Sequence, residues 1–309
     1  MRPRHHTFVA LALLTLLVGV LVGCGYGDEV KDGGPVSTQP GATVPTTSNG
    51  SGGGSATTED FSPTTTSDVS GQPIQVSVYF TRSEKIGAAH RQIPYTKEVA
   101  KAAVEQLLKG PNVQEKEVGM FTAVPDGTLF LGVSVADKVA TVDLSKEFES
   151  GGGTLSMSLR LAQVVYTLTQ FPSVEKVQFR LDGKPVEVFG GEGLILDHPV
   201  GRADYEELTP AILVEAPTVG DTVKSPMRVW GTANTFEASF ILDITDWDGK
   251  VKVHQPIQAT SGTGTRGTFD VTVPFQWDLY PRGTLLVYEA SAKDGKPINV
   301  VEIPLTFEK

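Results

Sequence analysis

Between positions 151 and 186 the chain reads GGGTLSMSLRLAQVVYTLTQFPSVEKVQFRLDGKPV, a glycine-rich entry, a helical stripe, a proline stop and an alternating strand. Leu161, Val164, Val165 and Leu168 fall at i, i+3, i+4 and i+7, so they line one face of a helix. Thr154 is placed to cap its start, and Phe171-Pro172 ends it because proline has no N–H for the helical ladder. Val177, Phe179 and Leu181 then alternate with polar residues, the period of a strand with one buried face. The Asp182-Gly183 pair turns the chain back. A helix returning onto a strand is the nucleus of a small α/β sandwich.

The residues before this stretch extend the same unit. Ile74, Val76, Val78 and Phe80 predict a first strand, followed by a polar loop. Thr96 opens a helix in which Val99, Ala103 and Leu107 recur every four residues, and Gly110-Pro111 stops it. Leu129, Leu131, Val133 and Val135 predict a second strand, and Asp137-Lys138 turns into a third with Ala140 and Val142 on one face. A further short strand follows at 185–189. The order β-α-β-β-α-β over 73–192 places two helices on one face of a mixed sheet. These pieces, IQVSVYF, LLKGP, TAVPDGTLFLGVSV, ATVDLSKEF and the run from 151, resemble in order the GerMN domain of sporulation and germination proteins and of other bacterial envelope lipoproteins. That resemblance implies an α+β sandwich similar to ring-building motifs.

Residues 193–207, with Pro199 and Gly201, read as a connector. Over 208–309 apolar alternation recurs in seven short runs, at 212–215, 227–233, 238–245, 251–256, 268–275, 285–291 and 300–307. With Asp248-Gly249 and Asp294-Gly295 as hairpin-type turns, this predicts an all-β immunoglobulin-like sandwich. Trp230 and Trp277 are expected as core or edge aromatics. The segments ILVEAPTVGDTVKSPMRVWGTANTFEASF, TFDVTVPF and VVEIPLTF resemble the immunoglobulin-like domain that accompanies GerMN in spore-germination proteins.

At the other end, Arg2 and Arg4 precede an apolar run from Phe8 to Val22, closed by Gly23 and Cys24. A basic start, an apolar centre and a small residue before the cut describe a secretory signal over 1–23. Leu21-Val22-Gly23-Cys24 resembles the lipobox of bacterial lipoproteins. The resemblance implies cleavage between Gly23 and Cys24 and attachment of a diacylglyceryl group to the Cys24 sulfur. The competing reading, an uncleaved anchor, needs roughly 20 apolar residues, and this run is shorter. Residues 24–72 are then a lipidated cysteine and a Gly/Ser/Thr/Pro tether, too poor in apolar side chains to fold and on the order of 40 Å in mean span. The protein is expected on the extracytoplasmic face of the cell membrane.

The formal charge of −10 speaks against nucleic acid as a partner, because each phosphate contact needs a cation. Cys24 is the only cysteine, so intrachain disulfides and cysteine-built zinc sites are excluded. Beyond the leader only His90, His198 and His254 remain, far apart in sequence. Gly151-Gly152-Gly153 could cradle an anion at a helix start, but lacks the Lys-Ser/Thr of a phosphate loop and reads as a hinge or loop. Asp143, Glu147 and Glu149 read as solvated carboxylates rather than metal ligands. Asp243, Asp246 and Asp248 miss the calcium-loop spacing and read as a turn, beside a surface-strand His254. Trp247 in that turn is the one candidate for stacking on a sugar ring. No catalytic residue, metal or cofactor is expected. The expected function is a membrane-anchored, non-catalytic lipoprotein that contacts other envelope proteins, linked to sporulation or germination. The alternative is a binding module for wall glycan or a small germinant.

Overall fold

The computed structural model describes residues 71–191, 193–276 and 281–308, which lie in one compact unit, Thr65–Lys309. The leader, Gly23, Cys24, almost all of the tether and Trp277 fall outside the described residues. Among the described residues no helix is long and apolar enough to cross a membrane.

The first domain opens with a hairpin, β1 (Ile74–Arg82) and β2 (Lys85–Ile93), paired from Ile74↔Ile93 to Arg82↔Lys85. Its two-residue turn, Ser83-Glu84, holds both φ angles positive, at 50° and 61°, the backbone that matches strand twist. The stretch read as a polar loop is therefore a nine-residue strand. Helix α1 (Val99–Leu108) follows, beginning three residues after Thr96, whose hydroxyl accepts from the Glu98 N–H. Next come α2 (Val113–Glu117) with an Asn112/Glu115 capping box, and β3 (Met120–Phe121), which pairs with the end of β1. Then β4 (Phe130–Ala136) and β5 (Val139–Leu144) form a second hairpin. Helix α3 (Thr154–Leu168) crosses over to β6 (Lys176–Leu181), parallel to β5, and β7 (Lys184–Pro185) closes the sheet. Gly153, not Thr154, is the N-cap of α3. The short pair β8 (Val188–Phe189) and β9 (Leu194–Ile195) leads out.

The strands form two sheets, β2-β1-β3 and β4-β5-β6-β7, rather than one mixed sheet. The reason lies in α3, which is buried on every side from Leu159 to Leu168. Polar side chains of α3, with Gln170 just past its end, satisfy the free edge of β1. The Gln170 side-chain carbonyl accepts from the Ser77 N–H at 2.7 Å, and the Thr167 hydroxyl from the Tyr79 N–H at 3.2 Å. Gln163 donates to the Tyr79 carbonyl at 3.0 Å and accepts from the Ala123 N–H at 2.7 Å. A helix supplies what a neighbouring strand would, so buried backbone groups stay paired. Around it pack the stripe Leu161, Val164, Val165 and Leu168 with Phe80, Leu107, Val142 and Phe179.

A 3₁₀ segment, Arg202–Leu208, leads to the second domain. Its strands are β10 (Ile212–Ala216), β11 (Thr222–Val223), β12 (Met227–Ala233), β13 (Ser239–Asp246), β14 (Val251–Gln258), β15 (Gly267–Val273), β16 (Arg282–Ala290) and β17 (Pro297–Phe307). The sheets β10-β12-β15 and β11-β17-β16-β13-β14 make an all-β sandwich. Its core holds Val229, Leu242, Val287 and an edge-on Phe240–Phe269 pair with centroids 4.9 Å apart. Gly231 is required where β12 meets β10, since a Cβ there would lie 2.0 Å from the Leu213 carbonyl oxygen. Trp230 is half-buried on β12.

Candidate functional site

The two domains meet along a seam, and the described polar groups converge there. β2 carries His90, whose Nδ1 lies 2.7 Å from Asp221 Oδ2 and whose Nε2 lies 3.0 Å from the Glu215 carbonyl oxygen on β10. Arg202, from the connector, stacks over Tyr166 of α3 at 4.6 Å and over Tyr79 of β1 at 5.3 Å. Its Nη1 donates to Glu215 Oε1 at 2.6 Å, Nε to Thr169 Oγ1 at 2.9 Å and Nη2 to the Tyr79 hydroxyl at 3.1 Å. The Tyr79 hydroxyl in turn donates to the other Glu215 oxygen. Glu215 is only 3% exposed, so its charge is held by two donors in place of water. Arg266 completes the seam with a bidentate grip on Glu206, at 2.8 and 3.0 Å.

Electrostatics follow from this packing. Burial, then the neighbouring Glu215 carboxylate, pushes the Tyr79 phenol well above its ordinary value. Burial pulls the Arg202 guanidinium down, but Tyr79 and Glu215 more than reverse that and leave it raised. Burial also opposes ionisation of Asp221, yet hydrogen bonding and attraction from His90, with help from Thr218, hold it below the usual carboxylate range. Apolar contact crosses the same line. Leu213 of β10 belongs to the first domain's core, and Val118 packs on the second's.

Beside the network lies a cleft of about 370 Å³ between the β1–β2 turn and strands β10 and β17. Its walls include Ile86, Ala88, Met120, Val219, Val301 and Ile303. Three charged residues line it, Arg82, Lys85 and Glu302.

Apart from His90, the residues singled out from the sequence lie elsewhere. Trp247 is 58% exposed at the β13–β14 turn. In that turn Asp246 accepts from the Asp248 and Lys250 N–H groups, while Asp243 is buried and bound to His254 and Tyr288. Asp243 and Asp246 therefore serve different partners. Asp143 accepts from the Gly183 N–H and Glu149 from the Gly190 N–H, so they too are separately engaged. The glycine-rich entry to α3 is pinned rather than hinged. Arg160, 2% exposed, donates to the carbonyls of Phe148, Gly151 and Ala123. Among the described residues no group of three His, Cys, Asp or Glu side chains could hold a metal ion. The seam residues escaped sequence reading because each looks like ordinary surface polarity until its partner arrives. Only Glu215, an acid inside the apolar run ILVEA, gave a local signal.

Residues 77–187 match the Germane family, described as "Sporulation and spore germination", and residues 211–296 match Gmad2, the "Immunoglobulin-like domain of bacterial spore germination". Spore germination protein GerM of Bacillus subtilis (strain 168) is 27% identical over 155 residues, covering 50% of this chain and 40% of that protein. The chain thus spans less than half the length of this curated relative. The first GerMN domain of the sporulation protein GerM from Bacillus subtilis is 24% identical, covering 42% of this chain and 99% of that one, with a TM-score of 0.37. The tandem GerMN domains of the same protein are 16% identical, covering 66% and 62%, also with a TM-score of 0.37.

Proposed function

We propose that this chain, which carries a GerMN domain followed by the immunoglobulin-like domain of bacterial spore germination, is a non-catalytic, lipid-anchored scaffold of the cell envelope. It holds both domains at a fixed angle outside the membrane and offers them to other envelope proteins. The observation that carries this reading is the seam. His90, Asp221, Arg202 and Glu215, side chains that could do chemistry in an open cleft, are spent on joining one domain to the other. A preset two-domain body suits assembly better than turnover.

Cys24 supplies the anchor in this reading, after cleavage behind Gly23. Two acyl chains, at about 0.8 kcal/mol per buried methylene, hold a protein on a bilayer durably. Replacing Cys24 with serine is expected to release the protein or leave an uncleaved precursor in cell fractionation; normal processing with unchanged membrane retention would overturn the anchor. Crosslinking in intact cells should join the protein to another envelope protein. Retention on purified wall material without any such partner would favour wall glycan, with Trp247 as the stacking residue.

A further inference from the structure

We propose that the cleft between the β1–β2 turn and strands β10 and β17 binds a small apolar anion, of the class of aliphatic carboxylates. This goes beyond the contact role and does not depend on it. At about 370 Å³ the cleft falls in the range of small-ligand sites, roughly 300–1,000 Å³. Its walls are mostly aliphatic, with Ser83, Thr218 and Asn299 among them, and include no aromatic ring, so a sugar or base would find no stacking platform. An alkyl chain would find apolar contact along Ile86, Ala88, Val219, Val301 and Ile303.

The head group follows from charge. In a chain of formal charge −10, two of the three charged residues on the cleft are cations. Arg82 Nη1 donates to the Glu302 main-chain oxygen at 2.7 Å, and Lys85 Nζ donates to the Glu207 main-chain oxygen. Both bonds go to neutral carbonyls, and among the described residues neither cation forms an ion pair. Burial lowers the Arg82 pKa, while the Glu302 carboxylate, the acid that faces it, acts in the opposite direction. A carboxylate entering beside Arg82 and Lys85 would gain charge-assisted bonds from a planar fork and an ammonium. It would do so against repulsion from Glu302.

The test is calorimetric titration of the full-length protein with decanoate, decan-1-ol and decyltrimethylammonium. Decanoate is expected to bind saturably, one per chain, about tenfold tighter than decan-1-ol, with no binding of the cation. Arg82→Gln and Lys85→Gln should each weaken decanoate by about tenfold without changing decan-1-ol. Val301→Trp should fill the cleft and abolish both. Because Arg82→Gln also removes a bond across the seam, Glu302→Gln is the deciding variant. It removes the opposing charge, so it should tighten decanoate binding, a gain that misfolding cannot mimic. Equal affinity for decanoate and decan-1-ol, binding that survives Val301→Trp, or no tightening in Glu302→Gln would each overturn the proposal.

Discussion

Arg202 stands between two aromatic rings and a buried carboxylate, so deleting it leaves Glu215 charged and without its main partner. Breaking a buried pair from one side costs several kcal/mol, because the stranded ion has neither water nor counter-ion. Arg202→Ala is therefore expected to destabilise the protein by about 3 kcal/mol in urea denaturation. Arg202→Lys should recover only part of this, since an ammonium cannot match the fork or stack on the rings. The contrasting pair is Arg228–Asp270, bidentate at 2.8 and 2.6 Å but with both side chains more than half exposed. Arg228→Ala should leave the urea midpoint unchanged, because water and salt screen the interaction there. Geometry alone would favour the bidentate surface pair; burial reverses the order.

At the scale of elements, α3 shows what a hydrophobic stripe conceals. Its apolar residues announced a helix with one buried face, yet Gln163 and Thr167, with Gln170 just past the helix end, are also turned inward to complete β1. Gln163→Leu keeps the shape and raises apolarity, but it strips partners from the Tyr79 carbonyl and the Ala123 N–H. A cost of about 1–3 kcal/mol is expected, with faster hydrogen exchange at Ala123 as the local reading. Substitution of an outward-facing glutamine would not behave so. Seven of the eight strands of the second domain were legible from period-two alternation, because a sandwich core demands one apolar face from each; the two-residue β11 was too short to show one. β2 was not legible. Its run KIGAAHRQI has small residues where the core is shallow and His90 and Arg91 where it meets other elements. Its buried residues, Ile86, Ala88, Ala89 and Ile93, are unevenly spaced and half of them are alanines, so no clear period-two signal stands out.

For the molecule as a whole, the shared seam predicts that the two domains unfold together. Scanning calorimetry should show one transition for the unaltered protein and two for Arg202→Ala. The pH range of that stability follows from the shifts. Asp221 and Glu206 are held below the usual carboxylate range, Asp221 by His90 against burial and Glu206 chiefly by Arg266. Their contribution is present above the unfolded value of about 4 and is lost as pH falls from there through the lower folded values. Tyr79 and Tyr205 are raised, chiefly by burial. Their contribution is full below the unfolded value of about 10 and is lost as pH rises from there through the higher folded values. A melting-temperature profile should therefore fall at both the acid and the alkaline end.

The position of β1 carries a mechanical consequence. Ile74 begins the central strand of β2-β1-β3, not a peripheral one. A load pulling at this end draws β1 along its length against β2, whose cross-bonds run perpendicular to the force and yield together rather than one by one. The same strand carries Tyr79, so tension entering there reaches Arg202 and Glu215 directly. The domain nearest the pull and the domain beyond it would resist as a single stiff link, a property that force spectroscopy reads as one tall rupture instead of two low ones.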